Sequence, residues 1–476
     1  VLAGAGVAAA SPPAGGGRGA AHGVFARVAT FSTPPDTGTV AEPLSAQPLD
    51  LGAHGYVQHE LFAAGTAHAF RADAAPSDGR WTVSPTTAAT YRTRILVRRP
   101  ANPARFSGTV VVEWLNESAG ESSPDWDFLN PYLMRAGDAY VGVTVQQLGV
   151  DGGTPILGSI GSAGAGLVHE DPARYGTLHH PGDRYALDMF AQIGLGLRTA
   201  GGRRALGPLR PRHVVAVGES QSAFYLTTFA DALQPVTHAF DGIFIHSRGG
   251  GGAPLNGASV VSGSLKGGLR IRTDLHVPVF MFETQTDVIE LGYASAQQPD
   301  TPRVRTWEVA GTSHADAFLV GAAASLLGCT TSVNSGPQHE VAQAAFAAFT
   351  RWVVHGTPPP SPPRFRLSSR HPATLALDRY GNVLGGVRTP AVDVPVSTLS
   401  GAAPAGASAL CALFGSTTAF TQQQLVSLYH SQAGYLARYR ASLGRAIAGG
   451  YVLAATRSAL VAQARQVQFP AGATGS

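Results

Sequence analysis

Charge is scarce in this chain. Only 13% of its 476 residues are Asp, Glu, Lys or Arg, and the basic ones, mostly Arg, are scattered. No dense basic run exists to follow a phosphate backbone, so a nucleic-acid partner is not indicated. The net charge of +4 is small for the length. No stretch holds 18 consecutive apolar residues, so no membrane span is expected. No phosphate-binding glycine loop of the right spacing follows a strand, which argues against a nucleotide cofactor. Internal repeats are lacking too. Sulfur is nearly absent: the two cysteines, Cys329 and Cys411, suffice for one bridge and no more.

What is present is the composition of a firmly folded globular protein, 44% hydrophobic and long enough to bury a large core. The opening "VLAGAGVAAAS" is small and apolar, with Ala8 and Ala10 in the −3 and −1 positions of an A-x-A cleavage signal. It reads as the tail of a secretory signal peptide, and alternatively as a low-complexity leader with no address. Together with "SPPAGGGRGAAHG" it makes residues 1–23 a signal remnant and flexible linker ahead of the fold. An exported chain, secreted or periplasmic, would meet an oxidising compartment, where two cysteines pair.

Hydrophobic periodicity then sets the class. "ATYRTRILVRR" (89–99) alternates like a strand, and "GTVVVEWLN" (108–116) is the unbroken β-branched run of a strand buried on both faces. "SPDWDFLNPYLMRAG" (123–137) reads as a helix, with Ser123 as cap and Gly137 just past its end. Strand 139–147, helix 182–201, strand 213–219, helix 221–233, strands 240–246, 277–283 and 303–311, and helix 338–356 follow. This order predicts an α/β fold: a mostly parallel, doubly wound sheet with helices on both faces over residues 24–363. Insertions at 150–181 and 247–276 read equally as rims over a site or as plain surface loops. After "HGTPPPSPP" the pattern changes, and residues 364–476 read as a C-terminal extension docked on the core, with short antiparallel strands and then a helical stretch at 421–464.

In such sheets, active groups gather at the carboxyl ends of the strands. "GESQSAF" (218–224) interrupts the core just after the apolar strand "HVVAV". A serine there could simply cap a helix, but G-x-S-x-S also supplies the small residues, Gly218 and Ser222, that a sharp strand-to-helix turn requires around a nucleophile. A hydroxyl nucleophile needs a base, and the base needs an orienting acid. Asp287 follows the strand "VPVFMFE", and Glu283 inside that strand is the competing acid. His314 lies in the small-residue loop "VAGTSHAD" about 27 residues later. His246, the other histidine considered, precedes the acid. Ser220, Asp287 and His314 thus stand in the order nucleophile, acid, base, each after its own strand. For the developing oxyanion, the N–H of Gln221 is one expected donor, and the backbone of Asn116 or Glu117 the second. The histidines of "TLHHPGD" (177–183) lack partner ligands, so no metal is expected. Trp126, Phe224 and Tyr225 could wall an apolar pocket or simply pack the core.

The strings "VVVEWLNES", "HPGDRYALDMFAQ", "GESQSA", "IRTDLHVPVFMFETQTDV", "AGTSHAD" and "CALFGSTTAF" resemble the large bacterial alpha/beta-hydrolase-domain family over roughly residues 30–464. The resemblance implies a serine-hydrolase core with a C-terminal extension, with Ser220 as nucleophile, Asp287 as acid and His314 as base; such a mechanism requires no cofactor. "NESAGE" stands where relatives have a glycine-richer loop, which leaves the second oxyanion donor open. The expected activity is hydrolysis of a small-molecule carboxylic ester through an acyl-enzyme. An amidase, lactonase or acyltransferase would use the same three residues, and a non-catalytic ligand-binding module could occupy the same fold. Neither the acyl and alcohol groups nor the oligomeric state is legible. A Cys329–Cys411 disulfide, set against two separately buried thiols, would staple the extension beside the histidine loop.

Overall fold

A computed structural model describes residues 23–158, 164–260, 268–321, 328, 329 and 332–470. The leader up to residue 22, expected to be a signal remnant, lies outside the described residues.

Among the described residues nine strands form one sheet in the order β1-β2-β3-β5-β4-β6-β7-β8-β9. Its parallel part comprises β4 (Thr109–Trp114), β5 (Ala139–Val143), β6 (His213–Glu219), β7 (Gly242–His246), β8 (Val279–Glu283) and β9 (Val304–Glu308). The β-branched run in β4 is explained by two-sided burial. Val110 and Val112 belong to the layer that holds Phe190 and Ile193, whereas Val111 joins Leu129 and Phe346 in the opposite layer. Helices α1 (Pro124–Ala136) and α5 (Gln338–His355) supply that second layer. Helices α2 (Ala186–Leu197) and α3 (Gln221–Thr228) supply the first. Gly137 ends α1 with φ 82°, the left-handed cap its position predicts. Helix α3 is shorter than expected: Phe229–Leu233 continue as a π-helical turn.

At the other sheet edge periodicity foreshadows only the strand at 89–99, which is the second half of a longer one. β2 (Tyr56–Ala74) and β3 (Thr82–Pro100) form a 19-residue antiparallel hairpin, with β1 (Thr30–Ser32) beyond it. β2 is rich in Ala and contains Gly65, residues of low strand preference. Pairing with β3 and close packing decide its conformation instead: a Cβ at Gly65 would lie 2.6 Å from the Gln192 Oε1 atom on α2.

Residues 364–470 begin with the short antiparallel pairs β10–β11 (Leu367–Arg370, Ala373–Leu375) and β12–β13 (Ser397–Ser400, Ser416–Ala419). The helical stretch expected over 421–464 is three helices: α6 (Gln422–Tyr429), α7 (Gln432–Ala448) and α8 (Arg457–Ala464). His430 (φ 63°) and Gly450 (φ 77°) break it. Phe365, Val383, Val392 and Leu399 share the hydrophobic cluster of the main sheet, and Tyr451 packs edge-on against Trp307 on β9 at 5.0 Å. Cys329 and Cys411 form a disulfide. Among the described residues no helix is long and apolar enough to cross a membrane.

Candidate active site

β6 ends at Glu219 and α3 begins at Gln221, leaving Ser220 alone on the turn with φ 59° and ψ −119°. A non-glycine residue with positive φ costs on the order of 1–3 kcal/mol and persists only where its surroundings impose it. Here they do: the Ser220 N–H donates to the His246 carbonyl on β7 (2.9 Å), and the turn is so tight that a Cβ at Gly218 would lie 2.9 Å from the Ser222 Cβ. That distance is the physical content of the small-residue pattern. Ser222 itself is fully buried.

The Ser220 hydroxyl is 2.6 Å from His314 Nε2, and His314 Nδ1 is 2.6 Å from Asp287 Oδ1. Asp287 is the third residue of the short helix α4 (Gln285–Ile289), whose cap Thr284 donates from N–H (2.6 Å) and hydroxyl (2.8 Å) to Asp287 Oδ2. One carboxylate oxygen is therefore spent on the cap and the other on the imidazole. This T-x-x-D box was readable in "ETQTD", but it is the fold that makes it orient His314. Gln338 at the start of α5 lies 3.4 Å from the His314 carbonyl and 3.4 Å from His246 Nε2. Nothing in the sequence pattern singles Gln338 out.

Glu283 ends β8 fully buried, and its carboxyl oxygens have no hydrogen-bond partner among the described residues. Burial, and then the Asp287 charge, push it well above the usual carboxylate range. The acid beside the imidazole is Asp287. His246 is occupied elsewhere, buried against Asp125 at 2.8 Å.

Glu219 is a site residue that the sequence displayed without assigning. Its carboxyl reaches within 3.6 Å of His314 Nε2 and accepts from Asn116 Nδ2 at 3.3 Å. Burial and the neighbouring acids Asp125, Asp287 and Glu113 push it well above its ordinary value. The signal was its position directly before Ser220 at a strand end.

The N–H of Gln221 opens α3, at a position where a helix offers no acceptor of its own. The Asn116 N–H is donated within its loop to the Ser122 carbonyl (3.0 Å), and the Glu117 N–H to Gln221 Oε1 (3.0 Å). Of the two expected backbone donors, Asn116 is thus committed to loop closure. Glu117 is held by a side chain that rotation would release. Of the aromatics, Phe224 borders a cavity beside Ser220. Tyr225 stacks on Trp114 at 4.7 Å and Trp126 packs on Tyr140 at 4.8 Å, both in the core. His180 is structural: Nε2 is 2.6 Å from the Val145 carbonyl and Nδ1 accepts from Gly182. Among the described residues no group of His, Cys, Asp and Glu is arranged to hold a metal ion.

A twisted, mostly parallel sheet carrying a strained serine turn at one strand end and a histidine loop at another defines an α/β hydrolase. The chain belongs to the alpha/beta hydrolase domain family, whose model matches residues 31–462. Solved structures that the chain matches include a lidless α/β serine hydrolase from Xanthomonas campestris (11% identity, 50% of this chain and 86% of that one, TM-score 0.27). Others are a glucuronoyl esterase from Solibacter usitatus (12%, 62% and 86%, TM-score 0.27) and a cold-adapted esterase from an Arctic intertidal metagenomic library (14%, 52% and 86%, TM-score 0.26). Likeness at this level carries nothing about substrate. No curated protein matches the sequence.

Several buried acids have a consequence for stability. Burial raises Asp138 to about 6, Asp127 to about 7 and Glu340 to about 8. The folded chain keeps protons that the unfolded chain gives up from about pH 4 upward. The folded state then binds more protons, so stability falls as pH rises through this window. A tenfold change in proton affinity is worth about 1.4 kcal/mol, so three such groups amount to several kcal/mol. The melting temperature is expected to drop by more than about 5 °C between pH 5 and pH 8.5. A melting temperature that climbs over that range contradicts this account.

Proposed function

We propose that this chain is a serine hydrolase that cleaves carboxylic esters through an acyl-enzyme on Ser220. The observation that carries the reading is the unbroken hydrogen-bond chain Ser220–His314–Asp287, with links of 2.6 Å each. Ser220 Oγ attacks the ester carbonyl as its proton passes to His314 Nε2. The negative oxygen of the tetrahedral intermediate is met by the N–H of Gln221 and, once the Gln221 side chain swings aside, by that of Glu117. Collapse expels the alcohol, which takes the proton back from Nε2. Water, deprotonated by the same nitrogen, then releases the acid and restores the serine. Asp287 holds Nδ1–H and stabilises the imidazolium. Amides, lactones or acyl transfer would use the same steps with a different leaving group or acceptor. The disulfide supports a secreted or periplasmic setting for this enzyme.

A fluorophosphonate probe should label Ser220 and no other serine, and Ser220→Ala should abolish both labelling and turnover of a short nitrophenyl ester. Labelling at Ser222, or ligand binding with no turnover of any ester or amide, would point to a different nucleophile or to a binding module. A rate that chelators extinguish would rule the mechanism out.

A further inference from the structure

Two cavities of about 490 Å³ each open onto the same catalytic atoms. Ser220 and His314 border both, and Ser118, Leu157 and Leu413 form the ridge they share. The first runs under Leu44, Pro124, Leu319, Val320 and Phe414. The second runs under Ile156, Phe224, Val260 and Leu291, and its floor is part of the run "SRGGGG". A glycine is required there: a Cβ at Gly250 would meet the Gly292 carbonyl oxygen at 2.5 Å and the Ser295 hydroxyl oxygen at 2.7 Å.

An ester whose carbonyl carbon sits over Ser220 Oγ projects its acyl chain and its alkoxy group in divergent directions from one planar carbon. A single pocket beside the serine houses one of these; here each direction meets a cavity already in the range that takes a drug-sized ligand. Both walls expose more apolar than polar surface. The ionisable groups, His314 apart, are acidic: Asp127 and Glu219 on the first cavity and Glu290 on the second. No Arg or Lys lines either one among the described residues. Among the described residues a substrate carboxylate would lose its water and find no cation to offset that cost in either cavity.

We propose that the substrates are uncharged esters with bulky apolar groups on both sides of the scissile bond, the acyl part in one cavity and the alcohol part in the other. This inference rests on the serine-hydrolase reading above. Each methylene buried multiplies kcat/KM by about three- to fourfold until its cavity is full. Lengthening the acyl chain of a nitrophenyl ester from butyrate to octanoate should therefore raise kcat/KM by more than about 50-fold. An octanoate series from methyl to benzyl alcohol should climb as well. Mono-nitrophenyl adipate should be cleaved at least about 100-fold more slowly than nitrophenyl hexanoate. Leu319→Trp in the first cavity and Leu291→Trp in the second should each truncate one series and spare the other.

The measurement uses the full chain, with circular dichroism on both variants and fluorophosphonate labelling of Ser220 in the same preparations. A flat acyl series, an adipate ester cleaved as fast as its neutral partner, or both variants truncating the same series would overturn the proposal. If a tryptophan variant does not fold, the wild-type series and the charged pair decide it. Profiles of that contrary kind with Ser220 labelled would sink this inference alone. Failure to label Ser220 would sink the hydrolase reading beneath it.

Discussion

Turnover by the His314→Ala protein is expected to fall by roughly 10⁴- to 10⁶-fold, the scale on which residues that act as one unit fail together. The imidazole stands between Ser220 and Asp287 with 2.6 Å contacts on either side, so its loss removes the base that takes the serine proton in the proposed mechanism. Asp287→Asn should cost about 10⁴-fold, because an amide that donates toward Nδ1 favours the wrong tautomer. It also disturbs the Thr284 cap, since Asp287 Oδ2 accepts both the N–H and the hydroxyl of Thr284. Glu283→Gln should change the rate by less than about tenfold, as that carboxyl has no partner among the described residues. Steady-state kinetics on one nitrophenyl ester read all three. Were Glu283→Gln the more damaging of the two acid substitutions, Asp287 would not be the orienting acid.

Loss of the Cys329–Cys411 bridge is expected to destabilise the chain by about 4 kcal/mol on the chain-entropy model, because it closes a loop of 82 residues. The bridge also bears on the site. Cys411 opens the turn Cys411–Phe414, where the Leu413 carbonyl accepts from Ala315 next to His314 and the Phe414 carbonyl accepts from Asn334. Leu413 is at the same time the ridge between the two cavities. The Cys329→Ser, Cys411→Ser double variant should therefore melt roughly 3–5 °C lower and lose turnover on bulky esters well below its melting temperature. Thiol titration of denatured, unreduced protein should find no free thiol; two titratable thiols would refute the bridge.

The sequence by itself determined the layers and the strand-end positions of the proposed triad. Two-sided burial demands unbroken apolar runs, so β4, β6, β7 and β8 were legible from composition alone, and the residue that ends or follows each strand was a candidate because strand ends face the crevice. Ser220, Asp287 and His314 could be named for that reason, and Gly218 and Ser222 because a tight turn leaves no room for larger neighbours. Only the tertiary structure decided the rest. The Ala-rich β2 is a strand because a partner strand and α2 hold it, an energy that no local preference records. Glu219, Gln338 and the Gln221 side chain enter the site through contacts between elements 24 to 104 residues apart. The committed N–H of Asn116 depends on how its loop closes. The two cavities exist because segments around Leu44, Leu157, Leu291, Leu319 and Leu413 converge on one serine, and convergence of distant segments is a property of packing, which one-dimensional periodicity does not encode.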